Sequence, residues 1–177
     1  MRLGDLEFTP IDDALDLVAE PVRHEVRHRG AQGLWVSAID PGLADTAEFC
    51  AHYGIALEQS ANCVVVEAKR AERVWYAACL VLATTRADVN GIVRKRLDAR
   101  KISFAPTEVA VSLSGMEYGG ITPVGLPDGW PILIDEQVLT QPQVVIGSGV
   151  RASKILAEPG RLAALPRAEV LPLVKTG

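Results

Sequence analysis

Apolar residues follow two spacings along this chain, and the change between them divides it. The first third reads as helical. Asp12 to Ala19 (DDALDLVA) opens on two aspartates, which favour a helix N-terminus. Pro21 suits the first turn of a second helix that Gly30 ends. Leu34 to Ile39 reads as a strand, stopped by Asp40-Pro41-Gly42. Leu43 to Tyr53 is predicted as a helix closed by Gly54. The pattern then turns β-branched. Cys63 to Val66 and Val74 to Ala83 flank a charged turn at 69–73 and predict a hairpin. Asp88 to Leu97 and Pro106 to Leu113 are predicted helices, the second ended by Gly115.

From Gly119 the sequence GGITPVGLPDGWP admits neither a regular helix nor a central strand. Strands are expected at 132–134 and 144–146. A Gly147-Ser148-Gly149 turn, a helix near 160–164 and a last strand near 170–174 follow. Helices and strands are interspersed, with no internal repeat and no linker. The expectation is one α/β domain over residues 1–177 around a mixed sheet, its first 60 residues mainly helical.

Composition narrows the class. The chain has 177 residues, 49% apolar and 23% charged, as in an ordinary globular protein. Met1 to Asp5 begins no signal peptide, and the run from Val74 to Ala83 is short of the ~20 residues a membrane span needs. Cys50, Cys63 and Cys79 are odd in number, widely spaced and in apolar contexts, as expected of reduced cysteines in a cytoplasmic protein. A net charge of −4 argues against gripping long nucleic acid by charge alone. It leaves open contact with a short single-stranded end through a local basic patch.

Residues 24–28 read H-E-V-R-H, the spacing of a zinc hydrolase helix, with Glu48 a conceivable third ligand. Helix geometry opposes that use. Val22 and Val26 share one face, and His24 and His28 fall on roughly the opposite one. If the valines enter the core, the histidines face solvent beside Arg23 and Arg27. No G-x-S-x-G, C-x-x-C or phosphate-binding glycine loop occurs elsewhere. Asp88 and Asp98 read as a cap and a solvated charge.

The informative series is Lys101 to Pro106, Leu113 to Gly125, Ile134-Asp135 and Ile146 to Arg151. Its sharpest element is Gly119-Gly120-Ile121-Thr122-Pro123, preceded by Ser114-Gly115. In this order the series resembles the YbaK / prolyl-tRNA-synthetase-associated editing-domain family over about two thirds of the chain.

The resemblance implies a compact α/β fold with a curved mixed sheet flanked by helices. It implies a free-standing deacylase that clears a mischarged small amino acid from tRNA. Family members use no metal, cofactor or protein nucleophile; the substrate's ribose hydroxyl assists water, and the glycine loop surrounds the ester. The implied catalytic set is Gly119, Gly120, Ile121, Thr122, Pro123 and Asp135. The implied substrate-binding set is Asn62, Met116, Tyr118, Gly147, Ser148, Gly149 and Arg151. The implied partners are the 3′ acceptor end of aminoacyl-tRNA and an aminoacyl-tRNA synthetase, with no membrane.

The chemistry suits such a use. An ester's tetrahedral oxyanion needs preorganised N–H donors, and glycine lets backbone amides approach closely. Pro123 would stiffen the loop. One departure stands out: where the family carries a lysine at the start of the strand after the third helix, this chain has Asn62. Asparagine brings hydrogen bonds but no charge. Arg94 to Lys101 is the densest basic run, readable as an acceptor-stem grip or as a solvated helix end, and Arg151 and Lys154 lie nearer the glycine turns. Two alternatives follow: a non-catalytic aminoacyl-tRNA binding module that lost the lysine, and the zinc hydrolase of His24 and His28.

Overall fold

Strands drawn from both halves of the chain build two main sheets around a shared core. A computed structural model describes residues 1–175. The larger sheet holds β5 (Ala61–Arg70), β6 (Arg73–Leu82), β7 (Lys101–Phe104), β8 (Ile132–Asp135) and β11 (Ala168–Leu171), in the order β11-β8-β6-β5-β7. The expected hairpin is β5–β6, in register from Ala61 opposite Leu82 to Arg70 opposite Arg73. β8 runs parallel to both β6 and β11, so this sheet is mixed. The smaller sheet is antiparallel, in the order β3 (Thr9–Pro10), β4 (Leu34–Ala38), β10 (Ser153–Ala157), β9 (Val144–Gly147). A separate two-stranded sheet pairs β1 (Arg2–Leu3) with β2 (Leu6–Glu7).

Alternation assigns the layers. Val144, Ile146, Ile155 and Ala157 of the small sheet meet Leu80, Leu82, Ile132 and Ile134 of the large one in the central core. The intervening Val145 and Leu156 point the other way, onto Phe49 and Cys50 of helix α2 (Thr46–Tyr53). On the far face of the large sheet, Ala77, Cys79, Val81 and Leu133 pack against Val89, Val93 and Leu173. Helix α1 (Glu20–Arg29) closes the central core with Val22 and Val26, while His24 and His28 are exposed and stack on each other 4.2 Å apart. Among the described residues no helix is long and apolar enough to cross a membrane.

Several expectations change. The α/β architecture is as expected, but its strands are divided among three sheets, two large and one of two strands, instead of gathered in one. The first 60 residues hold more helix than strand, much of it as short 3₁₀ turns, but they also supply β1 to β4. Residues 12–19 form two single 3₁₀ turns, Ile11–Asp13 and Leu15–Leu17. Val18 turns extended, the Arg23 guanidinium donates to its carbonyl, and the Ala19 amide donates to the Ser148 carbonyl. Those tertiary bonds outweigh local helix preference. The helix expected over 43–53 begins later, after a 3₁₀ turn at Pro41–Leu43.

The helix expected over 88–97 is a π turn (Val89–Val93) running into one α turn, α3 (Arg94–Arg96). Asp88 caps it by accepting from the amides of Gly91 and Ile92. Helix α4 (Thr107–Ser114) ends at Gly115 as expected, and α5 (Pro159–Ala163) lies close to its expected place. The last strand falls at 168–171 instead of 170–174. Residues 101–104 are an edge strand, β7, and β10 is a central strand that the residue pattern did not announce.

Candidate active site

The two sheets touch where β5 and β9 begin. Ser60 and Val145 form a parallel bridge there, and the Ser60 hydroxyl donates to the Val145 carbonyl at 3.5 Å. Beyond this point a cleft of about 450 Å³ opens between the strands. Asn62 to Val65 of β5 form one wall, and Ile146, Gly147 and Lys154 form the other. Tyr118, Gly119 and Ile121 of the glycine loop, Ala44 to Thr46 ahead of α2, and Phe104 with Thr107 complete it.

The glycine loop is bolted to the turn after β9. The Gly149 amide donates to the Gly120 carbonyl at 2.7 Å, and the Glu117 amide donates to the Gly149 carbonyl at 2.8 Å. Neither backbone could approach so closely past a side chain. A Cβ on Gly120 would lie 2.8–2.9 Å from the Val150 backbone, and one on Gly147 would lie 2.6 Å from the Gly120 carbonyl oxygen. Gly119 has φ +80°, and a Cβ there would strike the Arg151 guanidinium. Alanine at 119 is therefore strained in the folded state as well as altering the loop. The amides of Gly119 and Ile121 find no acceptor among the described residues.

The sequence-derived sets divide by position. Asn62, Tyr118, Gly119, Ile121 and Gly147 line the cleft. Gly120 lies behind them, against Val150. Arg151 stands at the rim, its guanidinium 3.4 Å from the Asp45 carboxylate and 3.5 Å from the Tyr118 carbonyl oxygen. Thr122, Pro123, Met116, Ser148, Gly149 and Asp135 are buried and do not line the cleft. Asp135 caps the turn after β8 and accepts from the Leu173 amide at 2.8 Å. Ser148 exchanges hydrogen bonds with Ser153 and Val150. The Met116 sulfur accepts from the Thr122 amide, and the Thr122 hydroxyl is buried without a partner among the described residues. Met116, Ser148, Gly149 and Asp135 bond to neighbouring loops, and none of the six lines the cavity.

Residues outside those sets also shape the cleft. Lys154 is only 7% exposed, yet it lines the wall. Its ammonium donates to the Ala44 carbonyl at 2.9 Å and sits 5.2 Å from the Phe49 ring centroid. Burial holds its pKa below the usual lysine value; Asp45 opposes that shift and Arg151 adds to it. The Thr46 hydroxyl meets the Asn62 carbonyl oxygen at 2.7 Å. Phe104 and Tyr118 lie at the cleft with 64% and 66% of their surface exposed. The Cys63 thiol lines the cavity too, but burial pushes its pKa up, so it is protonated at neutral pH. The signal for Lys154 was only its place just past the Gly147-Ser148-Gly149 turn; nothing in the chain marked Phe104.

The basic run divides as well. Arg96 pairs with Glu169 on the far face, and Asp98 pairs with Arg70 at the chain-reversal end of the hairpin. None of residues 94–101 lines the cleft. No group of three His, Cys, Asp or Glu gathers among the described residues, so His24 and His28 have no third ligand beside them.

Residues 40–165, which supply every wall of the cleft, match the model of the aminoacyl-tRNA editing domain. The chain belongs to that family. No curated protein matches it. Among solved structures, a candidate trans-editing enzyme for prolyl tRNA synthetase superposes with a TM-score of 0.76 at 24% identity, over 88% of this chain and 96% of its own. A hypothetical protein superposes with a TM-score of 0.77 at 20% identity, over 88% of this chain and all of its own (100%). Both likenesses are of fold. An editing-domain fold therefore carries this cleft, with asparagine at position 62 and a buried lysine on the opposite wall.

Proposed function

We propose that this editing domain is a trans-acting aminoacyl-tRNA deacylase that clears a mischarged small amino acid. The observation that carries the reading is the pair of unbonded amides, Gly119 and Ile121, on a braced loop at the wall of a cleft open to solvent. Such amides are ready donors for the oxyanion of ester hydrolysis. Water adds to the ester carbonyl carbon. The tetrahedral intermediate collapses, the bond to the ribose oxygen breaks, and that oxygen takes a proton. The products are a free amino acid and uncharged tRNA.

Among the described residues lining the cleft, no side-chain hydroxyl or thiol is paired with a histidine or carboxylate base. His24, His28 and His52 do not line it, the Cys63 thiol is protonated, and the Ser60 hydroxyl is committed to a carbonyl. This favours water as nucleophile with the substrate's ribose hydroxyl assisting. The exposed rings of Phe104 and Tyr118 are surfaces on which unpaired 3′-terminal bases stack. The protein acts in the cytoplasm on free aminoacyl-tRNA, alone or beside a synthetase. The test is release of amino acid from mischarged tRNAs by the purified protein; intact ester with every small amino acid would overturn the reading.

Asn62 favours a second reading, in which the domain binds aminoacyl-tRNA without hydrolysing it. Its carbonyl oxygen is already occupied by Thr46, and it carries no charge. Tight binding of a non-hydrolysable aminoacyl-adenosine, with no turnover of any ester, would establish that reading instead.

A further inference from the structure

Lys154 is the one cation among the residues lining the cleft, and the contacts described above leave its ammonium underused. An ammonium has three N–H donors, and here one of them meets a carbonyl. Among the described residues no carboxylate lies within salt-bridge distance of it; the nearby Asp45 is paired with Arg151. Burying a cation without an anion is unfavourable, and the folded chain has given it only a carbonyl and the Phe49 face. Its place is set by β10, where Lys154 is the register partner of Gly147 and stands on the α2 side of the small sheet. That puts the charge beside the glycine loop, on the wall opposite Asn62.

We propose that Lys154 is the anion-binding residue of this cleft and that its ligand is the phosphodiester 5′ to the terminal adenosine. The proposal rests on the cleft receiving the tRNA 3′ end. A buried ammonium calls for an anion that stays beside it. A transient oxyanion would leave the lysine unneutralised while substrate is bound, and the loop amides already serve that oxyanion. For a small neutral amino acid, the phosphodiester is the fixed negative charge nearest the ester.

The test is binding of 5′-AMP and of adenosine to the full chain by calorimetry, for wild type and Lys154→Met. Wild type is expected to prefer 5′-AMP by about tenfold or more, as for a charge-assisted hydrogen bond, and Lys154→Met to bind the two alike. The thermal midpoint of Lys154→Met is expected to stay level or rise, because an uncompensated buried charge is gone. A lysine that merely braces Ala44 would give a lower midpoint and an unchanged preference for 5′-AMP, and that overturns the proposal. So does a wild type that binds 5′-AMP no better than adenosine, or not at all. Turnover separates this from the deacylase reading. A protein that binds 5′-AMP through Lys154 and hydrolyses no ester sinks the deacylase and keeps the lysine. A deacylase whose KM is untouched by Lys154→Met does the reverse.

Discussion

The Gly149 amide donates to the Gly120 carbonyl at 2.7 Å, which makes the glycine loop and the turn after β9 one rigid piece. The two free amides at the cleft, Gly119 and Ile121, flank the residue that accepts this bond. Gly120→Ala must push the loop off the Val150 backbone. The expected cost is about 1–3 kcal/mol of stability, as for overpacking elsewhere. Deacylation by the fraction that stays folded is expected to fall by about 10²-fold, the scale of losing an oxyanion donor. Urea titration and single-turnover assays on the same sample check both. Wild-type turnover in Gly120→Ala would separate loop geometry from chemistry.

Phe104 and Tyr118 present exposed rings at the cleft. Replacing either with alanine is expected to weaken binding of a short single-stranded RNA ending in the acceptor sequence by about 1–3 kcal/mol per stacked base. Stability should change little, since neither ring is buried. Fluorescence anisotropy measures the affinity. Unchanged binding in the double variant would remove base stacking from the account.

Asp135 belongs to the scaffold. Removing its carboxylate in Asp135→Ala strands the buried Leu173 amide, at an expected cost of about 1–3 kcal/mol. The kcat of the folded enzyme is expected to hold. A large loss of kcat at unchanged stability would return Asp135 to the chemistry.

How legible was this site in the sequence? The glycine loop and the turn at 147–149 could be read because close backbone approach demands glycine in a fixed order. Which residues of those segments face the cavity could not. Thr122 and Ser148 have the side chains a catalytic reading prefers, yet both are buried in the loops that the Gly120–Gly149 bond joins. Lys154 sits in S-K-I-L-A, a short run that looks like the edge of a loop. Its burial depends on β10 lying between β4 and β9, a long-range pairing that no local pattern reports. The H-E-V-R-H helix was legible, because the 3.6-residue period alone separates Val22 and Val26 from the two histidines.

Alkaline pH tests the packing around the cysteines. Burial pushes the Cys79 thiol up to about 12 and raises Cys63 as well, from an ordinary value of 9.0. Below about pH 9 both folded and unfolded chains keep these protons, so the thiols do not affect stability. Above it the unfolded chain loses them first and binds fewer protons than the folded one. Stability therefore falls toward pH 12, by about 1.4 kcal/mol per unit for each thiol. Unfolding free energies at about pH 8 and about pH 10.5 measure the slope. Cys79→Ala should cut it by about half, leaving the Cys63 share, and an equal slope in that variant would contradict the burial argument.

The central claim is hydrolysis of a mischarged ester, and the most direct measurement is deacylation of a panel of tRNAs charged with different small amino acids. The purified wild-type protein, shown to be folded, is expected to release at least one of them well above the spontaneous rate and to leave correctly charged tRNA intact. Spontaneous rates across the whole panel would contradict the account.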